Sequence, residues 1–323
     1  MAETLLGRTN RAFPPVWLSL SMPHEGGEAA IDALAESARA ANVPLDVSGN
    51  PALWGGRVRG DDSLFLTALS TSGYERATDD RHAGDLVQAH LIETLSAIGR
   101  ETIDVYFLRV RRAVDEAQLS GALEAMELAR QEGHIRYLGI ACDGPSLATL
   151  GMWQFHDAFD LLLVPRNHHD DEAYRTLAPL AHQRRVGVVT SRPLNWGWGL
   201  PFTALAREEG RGKREGGLQI SSPVATSAES LGPLTPNPSP PEGRGVSLAQ
   251  TAIGDLAREN PVLVGVRTPE EVGAALAAPS VEIEDLGTRL APLRERFEAE
   301  ATWLELEEPW LGAARRRARE RAL

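Results

Sequence analysis

Cysteine is almost missing from this chain: Cys142 stands alone, so no disulfide can close within it and no cysteine cluster can hold zinc. Lysine is equally scarce, with Lys213 the only one, and tyrosine occurs only at positions 74, 106, 137 and 174. Basic charge is in short supply overall. The net charge is −12, which predicts no non-specific affinity for nucleic acid or for an anionic membrane. The run Arg315-Arg316-Arg317 is a local exception and reads as a solvated helix end. No apolar stretch approaches the roughly 20 residues of a membrane span, and no basic segment followed by a continuous apolar run opens the chain. The sequence therefore predicts a cytoplasmic protein without a signal peptide.

What is present is a long alternation. Short β-branched and leucine-rich runs at 16–21, 44–48, 64–70, 103–110, 137–142, 161–165, 186–191 and 262–266 predict strands. Between them lie segments of helical period, at 29–41, 80–98, 117–131, 146–154 and 172–184, with another starting at Pro269. Eight strands alternating along the chain with helical segments predict an α/β fold, a (β/α)8 TIM barrel. An open doubly wound sheet is the competing arrangement, but no Gly-x-Gly-x-x-Gly turn follows the first strand. One stretch breaks the pattern. Residues 208–246, between strands seven and eight, are rich in Gly, Pro, Ser and charge, and such a composition predicts a disordered insertion. The barrel domain is then 1–207 joined to 247–323.

Several segments, in matching order, resemble the aldo-keto reductases. They are Thr102-Ile-Asp-Val-Tyr-Phe-Leu108, the run from Glu124 to Ile140, Phe159-Asp-Leu-Leu-Leu-Val-Pro-Arg-Asn167, Val186-Gly-Val-Val-Thr-Ser-Arg-Pro-Leu194, Ser247-Leu-Ala-Gln250 and Val264-Gly-Val-Arg-Thr-Pro-Glu-Glu-Val272. Apart from the insertion, the likeness spans about residues 31–278. It implies hydride transfer from NADPH to a carbonyl at the C-terminal mouth of the barrel, served by an Asp–Tyr–Lys–His tetrad. In that scheme the tyrosine gives the proton, and a nearby ammonium lowers its pKa from about 10.

The sequence departs from that scheme at three of the four positions. Asp46 matches the aspartate. No tyrosine occurs in the segment from Ser48 to Trp54, Leu69 falls where the lysine belongs, and Arg109 takes the place of the histidine. The nicotinamide contacts are altered too: Ala141-Cys142 replaces a Ser-Asn pair, Leu163 a glutamine, and Ser191 a ring-stacking tyrosine. Each lost hydrogen bond weakens binding by about 0.5–1.5 kcal/mol. The adenosine-phosphate end is better kept, with Arg267, Thr268 and Glu271 matching family contacts, although Ala275 replaces an asparagine. Thr268-Pro-Glu-Glu271 is also a complete helix start, so its reading as structure stands beside its reading as a cofactor site.

The expectation is an aldo-keto-reductase-like pseudoenzyme, degenerate for NADPH-dependent carbonyl reduction, with NADP(H) binding weak or lost and a small-molecule ligand as its partner. The alternative is an active NAD(P)H-dependent oxidoreductase in which Arg109 polarises the carbonyl and Asp46 relays a proton through water. Asn167, just past the sixth strand, is a candidate ligand contact or a turn cap. Trp196 and Trp198 follow the seventh strand, where substrate loops sit. His168-His169-Asp170-Asp171 reads as a solvated loop and not a metal site, since adjacent side chains diverge. Cys142 reads as a small buried apolar residue.

Overall fold

The computed structural model describes residues 3–20, 27–168, 170–194 and 247–281, together with residues 288 and 291. Among them, eight parallel strands close on themselves in the order β10-β3-β4-β5-β6-β7-β8-β9. These are β3 (Val16–Ser19), β4 (Leu45–Asp46), β5 (Leu66–Leu69), β6 (Ile103–Val110), β7 (Ile135–Cys142), β8 (Leu161–Pro165), β9 (Gly187–Ser191) and β10 (Val262–Gly265). The helices between them are α1 (Glu28–Ala40), α2 (Pro51–Val58), α3 (Asp80–Ile98), α4 (Glu116–Gln131), α5 (Ser146–Trp153), α6 (Glu172–Gln183), α7 (Leu248–Leu256) and α8 (Pro269–Ala277). The (β/α)8 barrel expected from the sequence is therefore the fold. The insertion at 208–246, Lys213, the two mouth tryptophans, His169 and the arginine-rich tail lie outside the described residues.

Strand alternation sorts the side chains into two cores, because successive residues point to opposite faces. On β6, Tyr106, Leu108 and Val110 join the layer between sheet and helices, while Val105 and Phe107 fill the barrel interior. The same split puts Leu138, Ile140 and Cys142 outside on β7 and Ala141 inside. Gly139 faces inward where a Cβ would lie 2.1 Å from the Phe107 ring, so the missing side chain makes room for the phenyl. Asp104, buried in the outer layer, accepts a hydrogen bond from Leu66 N at 2.8 Å and pairs with Arg136 at 2.5 Å, which ties β6 to both neighbours.

The bottom of the barrel is stoppered. A short antiparallel pair, β1 (Thr4–Leu5) and β2 (Ala12–Phe13), precedes β3 and delivers Leu6 and Phe13 into the inner core beside Trp17 and Phe65. Phe13 meets Phe65 edge-on at 5.0 Å, and the Arg11 guanidinium lies 4.9 Å from the Phe65 ring centroid. That end is closed by apolar packing, and the C-terminal mouth is the end at which barrels of this kind carry their ligand contacts. Among the described residues, no helix is long and apolar enough to cross a membrane.

Candidate functional site at the barrel mouth

Three polar networks stand at the C-terminal ends of the strands. The first lies over β3–β5. Ser19, Asp46 and Thr67 share one level of the sheet. Asp46 is buried and accepts a hydrogen bond from Ser19 Oγ at 2.7 Å and from Ser48 N at 3.2 Å, and its Oδ1 also takes the Ser48 hydroxyl. Ser48 Oγ in turn accepts from Leu69 N at 2.7 Å. The aspartate thus locks strand ends together. Leu69, at the position where the resemblance places a lysine, packs its side chain against the inner apolar core.

The second network lies over β6–β9. Arg109, near the end of β6, donates from Nε to Asp143 Oδ2 at 2.6 Å. Asp143 follows β7 directly, and its other oxygen takes Arg192, which follows β9. Arg111 approaches the same carboxylate at 3.8 Å. Asp143 is therefore the partner of Arg109, and the bridge from Asp143 to Arg192 passes over the end of β8. Arg192 holds a positive φ of 57°, a conformation that L side chains adopt at a cost of about 1 kcal/mol or more.

The third network follows β10. Thr268 caps α8 by accepting from Glu271 N, and Glu271, itself buried, accepts from Arg267 N at 2.7 Å and from Arg267 Nη2 at 3.1 Å. The arginine expected to receive a 2′-phosphate is thus neutralised by a carboxylate on the helix that follows it. A phosphate arriving here must compete with that carboxylate for both donors.

The remaining candidates have plain geometric roles. Asn167 closes the turn after β8: its Oδ1 accepts from Asp170 N at 2.9 Å, and its N donates to Asp170 O at 3.0 Å. Ser191, half-buried at the end of β9, uses its carbonyl to accept from Arg166 N. Cys142 points into the outer layer, where burial pushes the thiol up to about 11. Among the described residues, no group of three or more His, Cys, Asp or Glu side chains could hold a metal ion.

All four tyrosines are placed, and none presents its hydroxyl to the mouth. Tyr74 sits in the outer layer and donates to Arg109 O at 3.0 Å; burial, helped by the Glu75 charge, pushes its phenol well above the ordinary value. Tyr106 shares a 2.6 Å hydrogen bond with His90 Nδ1 on α3 and is likewise raised by burial. Tyr137 reaches down to Thr9 O in the bottom stopper at 3.4 Å. Tyr174, on α6, accepts from Asn260 Nδ2 at 2.9 Å under the Arg166 guanidinium.

Of the residues singled out from sequence, Arg267, Thr268 and Glu271 come together in one helix start, whereas Asp46 and Arg109 belong to separate networks. Asp143 and Arg111 carry no motif, and Arg192 lies within the seventh-strand segment without being singled out there. The available signal was positional, since each lies one or two residues past a strand's C-terminal end, where barrel proteins place ligand contacts.

No known protein-family model matches this chain, and no curated protein does. Solved structures do. An aldo-keto reductase from Bacillus halodurans in its apo form aligns over 93% of this chain and 95% of its own, with TM-score 0.59 and 15% identity. An aldo/keto reductase from Klebsiella pneumoniae in complex with NADP and acetate aligns over 91% and 94%, with TM-score 0.62 and 18% identity. A further Klebsiella pneumoniae aldo-keto reductase structure, in complex with NADPH, gives 91% and 95%, TM-score 0.60 and 16% identity. At these identities the likeness defines the fold: the chain has the aldo-keto reductase barrel.

Proposed function

We propose that this chain is an aldo-keto-reductase-like barrel that has lost NADPH-dependent carbonyl reduction and binds a small molecule at its mouth. The observation that carries the reading is the placement of the four tyrosines. A carbonyl reductase of this type needs an acidic phenol beside a cation. Here burial makes Tyr74 and Tyr106 poorer acids than free tyrosine, and their hydroxyls are held by Arg109 O and His90.

The nicotinamide end does not fit the cofactor. Ala141 and Leu163 are inward-facing apolar residues and offer a carboxamide no hydrogen bond, so no hydride step is derived for this site. At the phosphate end, the Arg267–Glu271 pair opposes binding of a dianion. The rearranged-enzyme alternative is weakened by the same geometry, since Arg109 Nε is held on Asp143, and Asp46 is held by Ser19 and Ser48.

Calorimetric titration with NADPH tests the reading. The expected dissociation constant is about 1 mM or weaker, near −4 kcal/mol, with Arg267→Ala changing it less than about twofold. Micromolar binding that Arg267→Ala weakens by about tenfold or more would overturn it.

A further inference from the structure

Away from the mouth, α5 turns an uncharged face to solvent. From Gly144 to Phe155 the chain carries no charged side chain, although charged residues make up 24% of the whole. Among the described residues, the two most exposed large apolar side chains both lie here, Leu147 at 70% and Phe155 at 79%. Leu147 is in the first turn of α5, and Phe155 follows its end, with Gln154 between still in helical conformation. Gly151 lies midway, four residues from each, so the three share one edge of the helix. Apolar side chains grouped on one edge, unlike single scattered ones, mark a contact surface.

Gly151 gives the patch its shape. A Cβ built there meets nothing within 4 Å, so no packing inside the chain asks for glycine. Inside a helix, glycine is also less favourable than alanine. Between two protruding side chains it leaves a notch, and the order apolar–glycine–apolar reads the same from either end. An antiparallel copy of this edge therefore fits it about a two-fold axis, with glycine against glycine and Phe155 against the partner's Leu147.

The charges around the patch select that orientation. At the N-terminal end of α5, Gly144 packs on the backbone of Arg111, where a Cβ would lie 2.0 Å from the carbonyl oxygen. The next residue, Arg112, is 52% exposed, while its carboxylate partner Glu75 is buried beneath it at 5%. At the C-terminal end the order is reversed. Glu116 and Asp157 are 70% and 67% exposed, and the cationic groups they face, His156 and Arg8, lie deeper. Both ends keep their internal pairs, yet one presents a guanidinium outward and the other presents carboxylates. A second copy turned end for end sets opposite signs together twice, whereas a parallel copy sets like signs together.

We propose that α5 is the contact surface of a weak two-fold dimer of this chain. Leu147 and Phe155 supply the apolar area, Gly151 allows close approach, and Arg112 meets the partner's Glu116 and Asp157. With two large side chains from each copy, the contact lies at the small end of specific interfaces, and the expected dissociation constant is about 100 µM. The surface is on the outside of the barrel, so the proposal stands apart from the reading of the mouth.

The test is sedimentation equilibrium of the full chain from about 10 µM to about 1 mM, which brackets that constant. A reversible monomer–dimer equilibrium is expected. Phe155→Ser and Gly151→Arg, both at open positions, are each expected to weaken it by about tenfold or more, and Glu116→Arg by about threefold. A chain that stays monomeric at about 1 mM would overturn the proposal, as would a dimer that Phe155→Ser and Gly151→Arg leave unchanged. Open-ended association without a dimer plateau would overturn it too. So would a loss of monomer stability in Phe155→Ser on urea unfolding, which would show the face covered by its own chain. Should Gly151→Arg fail to fold, Phe155→Ser and Glu116→Arg decide the matter.

Discussion

His90 shows how one buried residue couples the fold to pH. It projects from α3 onto the Tyr106 hydroxyl, and burial holds its pKa below the ordinary 6.5, against a weaker opposing effect of Glu93. In the unfolded chain the imidazole takes up a proton near 6.5, while in the folded chain it resists until a lower pH. Over that interval the unfolded state binds more protons, so stability falls as pH falls, and the loss levels off below the folded value. Urea unfolding at about pH 7.5 and about pH 5.5 should show the unaltered protein losing more stability than His90→Gln. Equal losses in the two proteins would show that His90 carries no such coupling.

Helices and strands differ in how openly the sequence announces them. The helix at Asp80–Ile98 and the strands at Ile103–Val110 and Leu161–Pro165 have the bounds read from the sequence, because their apolar spacing matches the face they bury. No apolar period announces the helix at Pro51–Val58. Gly55 and Gly56 break its pattern, yet Gly55 is where α2 meets α3, and a Cβ there would lie 1.8 Å from Ala97 O. Tertiary contact, not propensity, decides that segment. The bottom stopper is silent in the sequence for a related reason: two strands of two residues each show no period.

The α3–α4 contact obeys the same rule and yields a prediction. Gly121 on α4 faces α3 so closely that a Cβ would lie 1.9 Å from Asp80 O. Gly121→Ala must push the helices apart, and the expected loss is about 1–3 kcal/mol, as for overpacked cores, outweighing the helix propensity gained. Urea unfolding reads this directly, and a variant as stable as the parent would contradict so tight an approach.

At the scale of the whole molecule, architecture was legible and the mouth was legible only in part. Alternation of short apolar runs with segments of period 3.6 specifies a barrel without reference to any single residue. Thr268 and Glu271 were readable because a helix start is local in sequence. The Asp143–Arg192 bridge was not, because its partners lie 49 residues apart and meet only after β8 is laid between them. Under the proposed reading, the stoppered bottom and closed sheet leave the mouth to bind a small molecule, and none of the four tyrosines presents its hydroxyl there to donate a proton. The most direct test of that claim is NADPH oxidation, followed by absorbance, across a panel of aldehydes and ketones. Consumption no faster than in protein-free buffer is the predicted result. Turnover at about 1 s⁻¹ or faster, abolished by Tyr74→Phe, would contradict it.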